Sequence, residues 1–176
     1  MSVIEKYDIA QICTSGHVIN SSCKNQPSAC TDFCALCGSP TIKECPSCRA
    51  SIPGDAYGSQ VLFATLEGTV TAPVKINTEY TVPAFCSKCG KPYPWTAKFL
   101  ENANKIVDLM DGLSPEQKEQ LKETFPNLLV EKPESQYDAL VAGTMIHQIT
   151  SFGKDVLINL LKDNIPTKLF ELMQLE

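Results

Sequence analysis

One arginine, one tryptophan and two histidines are all that 176 residues contain, and each scarcity removes a class of chemistry. With Arg49 alone, no cluster of guanidinium groups exists to grip phosphate in two-pronged fashion. With His17 and His147 alone, there is no H-E-x-x-H metalloprotease helix, and a histidine used as a ligand leaves one for proton transfer. A glycine-rich phosphate loop is missing, as is the H-x-E preceding P-C-x-x-C of zinc deaminases; the nearest string, Cys45-Pro46, runs in the opposite order. No stretch approaches the roughly 18 apolar residues that cross a bilayer, and Glu5, Lys6 and Asp8 interrupt the first ten residues, where a secretory leader would be apolar. The expectation is a cytoplasmic, non-enzymatic protein without membrane contact.

Basic charge is also short. Lys and Arg number 15 against 20 Asp and Glu, a formal net charge of −5. Residues 1 to 95 are balanced, so the whole excess falls in residues 96 to 176. Thiolate ligands would add negative charge, because a three-cysteine, one-histidine zinc site is formally −1 and a four-cysteine site −2. Such a surface repels nucleic acid on average.

What the chain does have is cysteine, nine in all, every one between Cys13 and Cys89. In a reducing compartment these read as metal ligands and not as a disulfide framework. Three C-x2-C pairs stand out: Cys34/Cys37 followed by Gly38, Cys45/Cys48 around Pro46, and Cys86/Cys89 followed by Gly90. A fourth half-site is Cys13-Thr14-Ser15-Gly16-His17. A tight turn carrying two cysteines presents both thiolates to one tetrahedral ion, and glycine after the second cysteine suits a turn that needs positive φ and free N–H groups near the sulfurs.

The simplest grouping is sequential: Cys13, His17, Cys34 and Cys37 around one Zn2+, and Cys45, Cys48, Cys86 and Cys89 around another, two ions per chain. A cross-brace, pairing first with third and second with fourth half-sites, stays open. So does Cys23 or Cys30 in place of His17, and iron in place of zinc, since ligand softness does not separate those metals. Ile12, Phe33 and Phe85, each adjoining a ligand cysteine, are expected to supply core.

Composition changes near Lys91-Pro92-Tyr93-Pro94-Trp95, which divides a domain of residues 1–95 from a helical one of residues 96–176. The fold class expected is α+β: a small double zinc ribbon of short hairpins and knuckles, then helices. Gln60 to Leu66 and Tyr80 to Phe85 are the β-prone runs. Helices are predicted from Thr96, as N-cap, to about Leu109; from Ser114, with Pro115 and a capping-box Gln117, to about Thr124; from about Glu134 to Asp163, on the spacing of Tyr137, Leu140, Val141, Met145, Ile149, Phe152, Val156 and Leu160, with kinks at Gly143 or Gly153; and from about Pro166.

The strings Tyr7 to Cys13 and Gly16 to Asn20, Phe33-Cys34-x2-Cys37-Gly38, Thr41-Ile42-x2-Cys45-Pro46-x-Cys48, and Phe85-Cys86-x2-Cys89-Gly90 to Thr96 together resemble a bacterial family catalogued as domain of unknown function 2321. The resemblance covers about residues 7 to 98. It implies a bacterial zinc-ribbon protein with the eight ligands named above, treats Cys23 and Cys30 as additions to the pattern, and implies no activity.

Three functions are weighed. A non-catalytic adaptor would use its metals as folding supports and its acidic C-terminal helices to dock a protein partner or a second copy, with Leu169, Phe170, Leu172 and Met173 as the candidate contact. Nucleic-acid binding would rest on Lys43, Arg49, Lys75, Lys88 and Lys91, with Tyr93 and Trp95 for stacking. Catalysis would need His147, whose apolar neighbours Met145, Ile146 and Ile149 point to helix packing. The adaptor is the expectation.

Overall fold

The computed structural model describes residues 6–65, 68–76, 79–150 and 153–175. The chain divides into two compact units, Met1–Trp95 and Thr96–Glu176. Its class is α+β, with small antiparallel sheets in the first unit and helices in the second.

The first unit holds β1 (Lys6–Ile9), β2 (Gln11–Cys13), β3 (Val18–Asn20), β4 (Thr41–Ile42), β5 (Pro53–Thr65) and β6 (Gly68–Lys75), with one 3-10 turn at Pro27–Ala29. One sheet runs β1-β5-β6 and the other β3-β2-β4, all pairs antiparallel. β1 and β2 are separated by Ala10 alone, whose N–H bonds Ile52 O at 2.9 Å, so the chain passes from one sheet to the other through a buried residue. The core is small: Ala10, Ile12, Ile52, Tyr93, Cys45 and Cys86. Ile12 joins it as expected, whereas Phe33 is 65% exposed and Phe85 only half-buried. The apolar residue beside a knuckle is core only where its strand lies against the other sheet.

Buried carboxylates take the place that a larger apolar core would fill. Asp8 accepts from the N–H groups of Ile9, Lys24 and Asn25, at 2.6, 2.7 and 3.2 Å. Asp55 accepts from Ser21 and Ser22 hydroxyls and pairs with Lys75 at 2.9 Å. Both charges are therefore compensated by donors, as burial requires.

The hairpin is formed by β5, which takes in the β-prone run from Gln60 to Thr65, and β6, which lies in neither run; Leu66 lies outside the described residues. The segment Tyr80 to Phe85 contributes only the isolated bridge Phe85–Pro92, while Tyr80 and Val82 pack on the core and Tyr80 Oη donates to Pro53 O at 2.7 Å. Pro83 has no N–H to give a ladder.

The second unit is built from α1 (Pro94–Asp108), whose first two residues belong to the first unit, α2 (Pro115–Leu128), α3 (Pro133–Gln148), α4 (Gly153–Asn164) and α5 (Thr167–Leu172). α1 starts at Pro94 and not after a Thr96 cap, since proline is already set to the helical φ of a first turn. α2 has the capping box read from Ser114 and Gln117, but runs past Pro126 because Phe125 and Leu128 are both buried. The long third helix is two. Ile149 turns extended and buries its side chain, ending α3, and Gly153 begins α4 where a Cβ would stand 3.3 Å from Met110 Cε. Phe152, counted in the periodic spacing, lies outside the described residues. Gly143 stays within α3, its role being close packing: a Cβ there would clash with Met173 O. No helix among the described residues is long and apolar enough to cross a membrane.

Leu169 and Met173 are buried in the core of this unit, with Phe170 and Leu172 packed against it. The apolar face of the last helix thus has its partner within its own unit.

Candidate metal centres

Three turns of the first unit share one backbone design. In Cys34–Gly38, Gly38 N–H donates to Cys34 O at 2.8 Å and Cys34 N–H to Ser39 O at 2.9 Å. The Cys45–Arg49 and Cys86–Gly90 turns repeat both bonds, Arg49 N–H to Cys45 O at 2.9 Å with Cys45 N–H to Ala50 O at 2.8 Å, and Gly90 N–H to Cys86 O at 2.8 Å with Cys86 N–H to Lys91 O at 2.9 Å. Bridges Phe33–Pro40, Glu44–Ser51 and Phe85–Pro92 close each knuckle. The residue after the second cysteine is left-handed in all three: Gly38 at φ 69°, Gly90 at φ 69° and Arg49 at φ 62°.

The fourth half-site is the β2–β3 turn. Gly16, at φ 95°, donates to Cys13 O at 2.9 Å, Cys13 N–H bonds His17 O at 3.0 Å, and His17 N–H reaches Cys13 Sγ at 3.2 Å. A hairpin one residue longer than a C-x2-C turn can therefore aim an imidazole Nδ1 and a thiol at one point.

The folded chain brings Cys13, His17, Cys34 and Cys37 into one cluster and Cys45, Cys48, Cys86 and Cys89 into another, the ligand atoms of each lying within 4.8 Å of one another. This is the sequential grouping, with His17 and not Cys23 or Cys30 in the first cluster. Measured edges are 3.8 Å for Cys13 Sγ to Cys37 Sγ, 3.5 Å for Cys13 Sγ to His17 Nδ1, 3.6 Å for Cys34 Sγ to His17 Nδ1, 3.8 Å for Cys45 Sγ to Cys89 Sγ and 3.6 Å for Cys48 Sγ to Cys86 Sγ. A tetrahedral ion with metal–sulfur bonds of about 2.3 Å and metal–nitrogen bonds of about 2.05 Å sets edges of about 3.8 Å between sulfurs and about 3.6 Å from sulfur to nitrogen. Both clusters have the dimensions to hold a metal ion.

Electrostatics within each cluster favour a bound cation. The Ser39 hydroxyl and N–H, with help from His17 and Cys34, pull the Cys37 thiol down to about 6, and the N–H groups of Cys89 and Lys88 bring Cys86 down to about 6. Cys48 is also pulled down by Ala50 N–H, but burial and the sulfurs of Cys89, Cys86 and Cys45 outweigh it and push the thiol up to about 11. Cys13 rises through burial. Backbone donors favour thiolates and neighbouring sulfurs oppose them, a conflict that a bound cation removes.

An aromatic pair underlies the second cluster. Tyr93 is wholly buried and stacks on Trp95 with ring centroids 4.7 Å apart and planes at 18°, and Trp95 Nε1 donates to Pro83 O at 3.0 Å. Burial, and then the Cys86 charge, hold the Tyr93 hydroxyl above its ordinary range. Tyr93, wholly buried, has no face to offer a base, and Trp95 has one of its faces taken up by Tyr93. Of the basic residues, Lys75 is spent on Asp55, and Arg49 lies 3.9 Å from Glu44. His147, expected among apolar neighbours, is exposed and its Nε2 donates to Gln174 O at 3.0 Å.

Comparison with curated proteins and with solved structures gave no match. The chain belongs to the bacterial family described as "Uncharacterized protein conserved in bacteria (DUF2321)", which it matches over residues 6–168, well into the helices that follow the knuckles.

Proposed function

We propose that this protein is a non-catalytic adaptor whose first unit is folded around two structural Zn2+ ions and whose helical unit docks a protein partner or a second copy of the chain. The observation that carries the metal reading is the set of donor edges, 3.5 to 3.8 Å, in two clusters of four donors each. Four donors complete a tetrahedron and leave no position for substrate or activated water, the arrangement of structural zinc. Three thiolates with one imidazole, and four thiolates, are both ligand sets that zinc takes in such sites.

Support for docking comes from the helical unit's outer surface. Tyr137 and Leu140, one turn apart on α3, are 69% and 52% exposed, and this face replaces the last helix as the candidate contact. Spacing of i and i+3 puts them side by side. Nucleic-acid binding is the weaker reading, because its two aromatic residues are stacked on each other and the net charge is −5.

Native mass spectrometry of the purified full chain tests the proposal. Two zinc ions per chain, with no visible absorbance of the kind ferric thiolate sites give, are expected. One ion or none would overturn the metal reading. For docking, Leu140→Asp is expected to abolish self-association or partner capture with both ions retained; unchanged association would remove α3 as the contact.

A further inference from the structure

Two cysteines belong to neither cluster, and they sit against each other. Cys30 Sγ lies 2.8 Å from Cys23 Sγ, inside the separation of two sulfurs in ordinary contact, though longer than the roughly 2.05 Å of a bond between them. The pair is housed. Cys23 is buried, its thiol facing Asn20 O at 3.7 Å, while Cys30 is half-buried and receives Asn20 Nδ2 at 3.5 Å. Asn20 Nδ2 also holds Gln26 O at 2.7 Å, so one amide ties the middle of the Cys23–Cys30 loop to its end. Asp8 fastens the beginning through the N–H groups of Lys24 and Asn25, and Gln11 fastens the far side through Thr31 N–H at 3.0 Å.

We propose that Cys23 and Cys30 are a peroxide-reactive dithiol, with Cys30 the attacking sulfur and Cys23 the resolving one, separate from both metal clusters. The two thiols differ in the sense this requires. Burial opposes ionisation of Cys30, but the Cys23 thiol, Asn20 and the Lys43 ammonium together bring it below its usual value. Burial first, then Cys30 itself, push Cys23 up to about 12. The more exposed sulfur is thus the one that ionises.

The reaction balances with a hydroperoxide as oxidant. The Cys30 thiolate attacks the terminal oxygen, the O–O bond breaks, and the leaving hydroxide or alkoxide takes a proton, giving water or alcohol and a Cys30 sulfenic acid. Cys23 sulfur then attacks Cys30 sulfur, its proton leaves with the departing hydroxide as water, and the S–S bond forms. Two thiols have lost two electrons to one peroxide. The product locks the loop around Pro27–Ala29, beside the β2–β3–β4 sheet that carries Cys13.

The test uses the full chain loaded with zinc and titrated with hydrogen peroxide, followed by intact mass, peptide mapping and a zinc-release dye. A loss of two mass units, mapped to a Cys23–Cys30 link before any zinc is released, is expected. Cys23→Ser should leave a Cys30 sulfenic acid that dimedone traps, and Cys30→Ser should slow modification of Cys23 by at least about tenfold, because thiolate is the nucleophile. Zinc release that precedes the link, or equal reactivity of Cys23 and Cys30 in the two variants, would overturn the proposal. Both variants are checked for two bound ions, so that a misfolded protein is recognised by its metal content.

Discussion

The three knuckles contain an internal experiment on backbone strain. Gly38 and Gly90 hold the left-handed position with nothing within 4 Å of where a Cβ would lie, so Gly38→Ala and Gly90→Ala add no clash and isolate the conformational cost. For a residue with a Cβ that cost is about 1 to 2 kcal/mol, and alanine recovers about 0.4 to 1 kcal/mol by restricting the unfolded chain. The net loss is about 1 kcal/mol. Arg49 already bears this cost at φ 62°. Its ion pair with Glu44, at 3.9 Å with both side chains more than half exposed, adds little to offset it. Arg49→Gly is therefore expected to gain about 0.5 to 1 kcal/mol. Because the turn can relax once the metal leaves, the strain is read as affinity: about fivefold weaker zinc binding at the substituted site for either alanine variant, and two- to fivefold tighter for Arg49→Gly. Competition with a chromophoric chelator measures it. Neutral alanine variants, or a weakened site in Arg49→Gly, would refute the argument that the left-handed turn limits the knuckle.

Other expectations follow from the same geometry. Chelation should abolish the first unit's tertiary signals yet leave most helical circular dichroism at 222 nm, since the helical unit has an apolar core of its own; loss of most helix signal would contradict this. Gly143→Ala, whose Cβ would run into Met173 O, and Gly54→Ala, whose Cβ would run into Ser21 O, face backbone that cannot step aside. Each should cost about 3 kcal/mol, the upper end for overpacking, and a thermal melt shifted by less than a degree or two would argue otherwise. His17→Ala should reduce bound zinc from two ions to one, and His17→Cys should keep two, both counted by native mass spectrometry.

Cysteine spacing made the two clusters legible because a C-x2-C turn has essentially one way to present both sulfurs. The α2 cap was legible for a similar reason, as Ser114 and Gln117 bond within the same turn. The rest depended on contacts distant in sequence. Nothing in the periodicity of Tyr137 to Leu160 announces the break after Gln148, which follows from burial of Ile149 beside the other helices. Nor does the string Tyr80 to Phe85 reveal that its role is to lie over a core strand instead of pairing. Asp8 and Asp55 look like solvated charges until the chain brings N–H and hydroxyl donors around them. Cys23 and Cys30, seven residues apart, carry no spacing signature, and only the loop's fastening by Asn20 and Asp8 sets them together.

The core of the first unit and its metal clusters are one object. Cys45 and Cys86 are candidate ligands of the second cluster and members of the apolar core. The Tyr93 side chain is buried near both sulfurs and stacks on Trp95. Trp95 Cβ in turn stands 3.2 Å from where a Cβ on Gly16 would lie, and Gly16 shapes the turn that aims Cys13 and His17 at the first cluster. A contiguous chain of packed groups thus runs from one site to the other. Loss of one metal should loosen Tyr93 and Trp95 and so weaken the other site, with a coupling of about 1 kcal/mol or more, at least fivefold in affinity. Reciprocity requires that the effect be equal in both directions, so Cys89→Ser should weaken the first site as much as His17→Ala weakens the second. Trp95, the chain's single tryptophan, reports the event by fluorescence during a chelator titration. Equal affinity of the remaining site with and without its neighbour would show the two sites to be independent, and the aromatic stack to be core and nothing more.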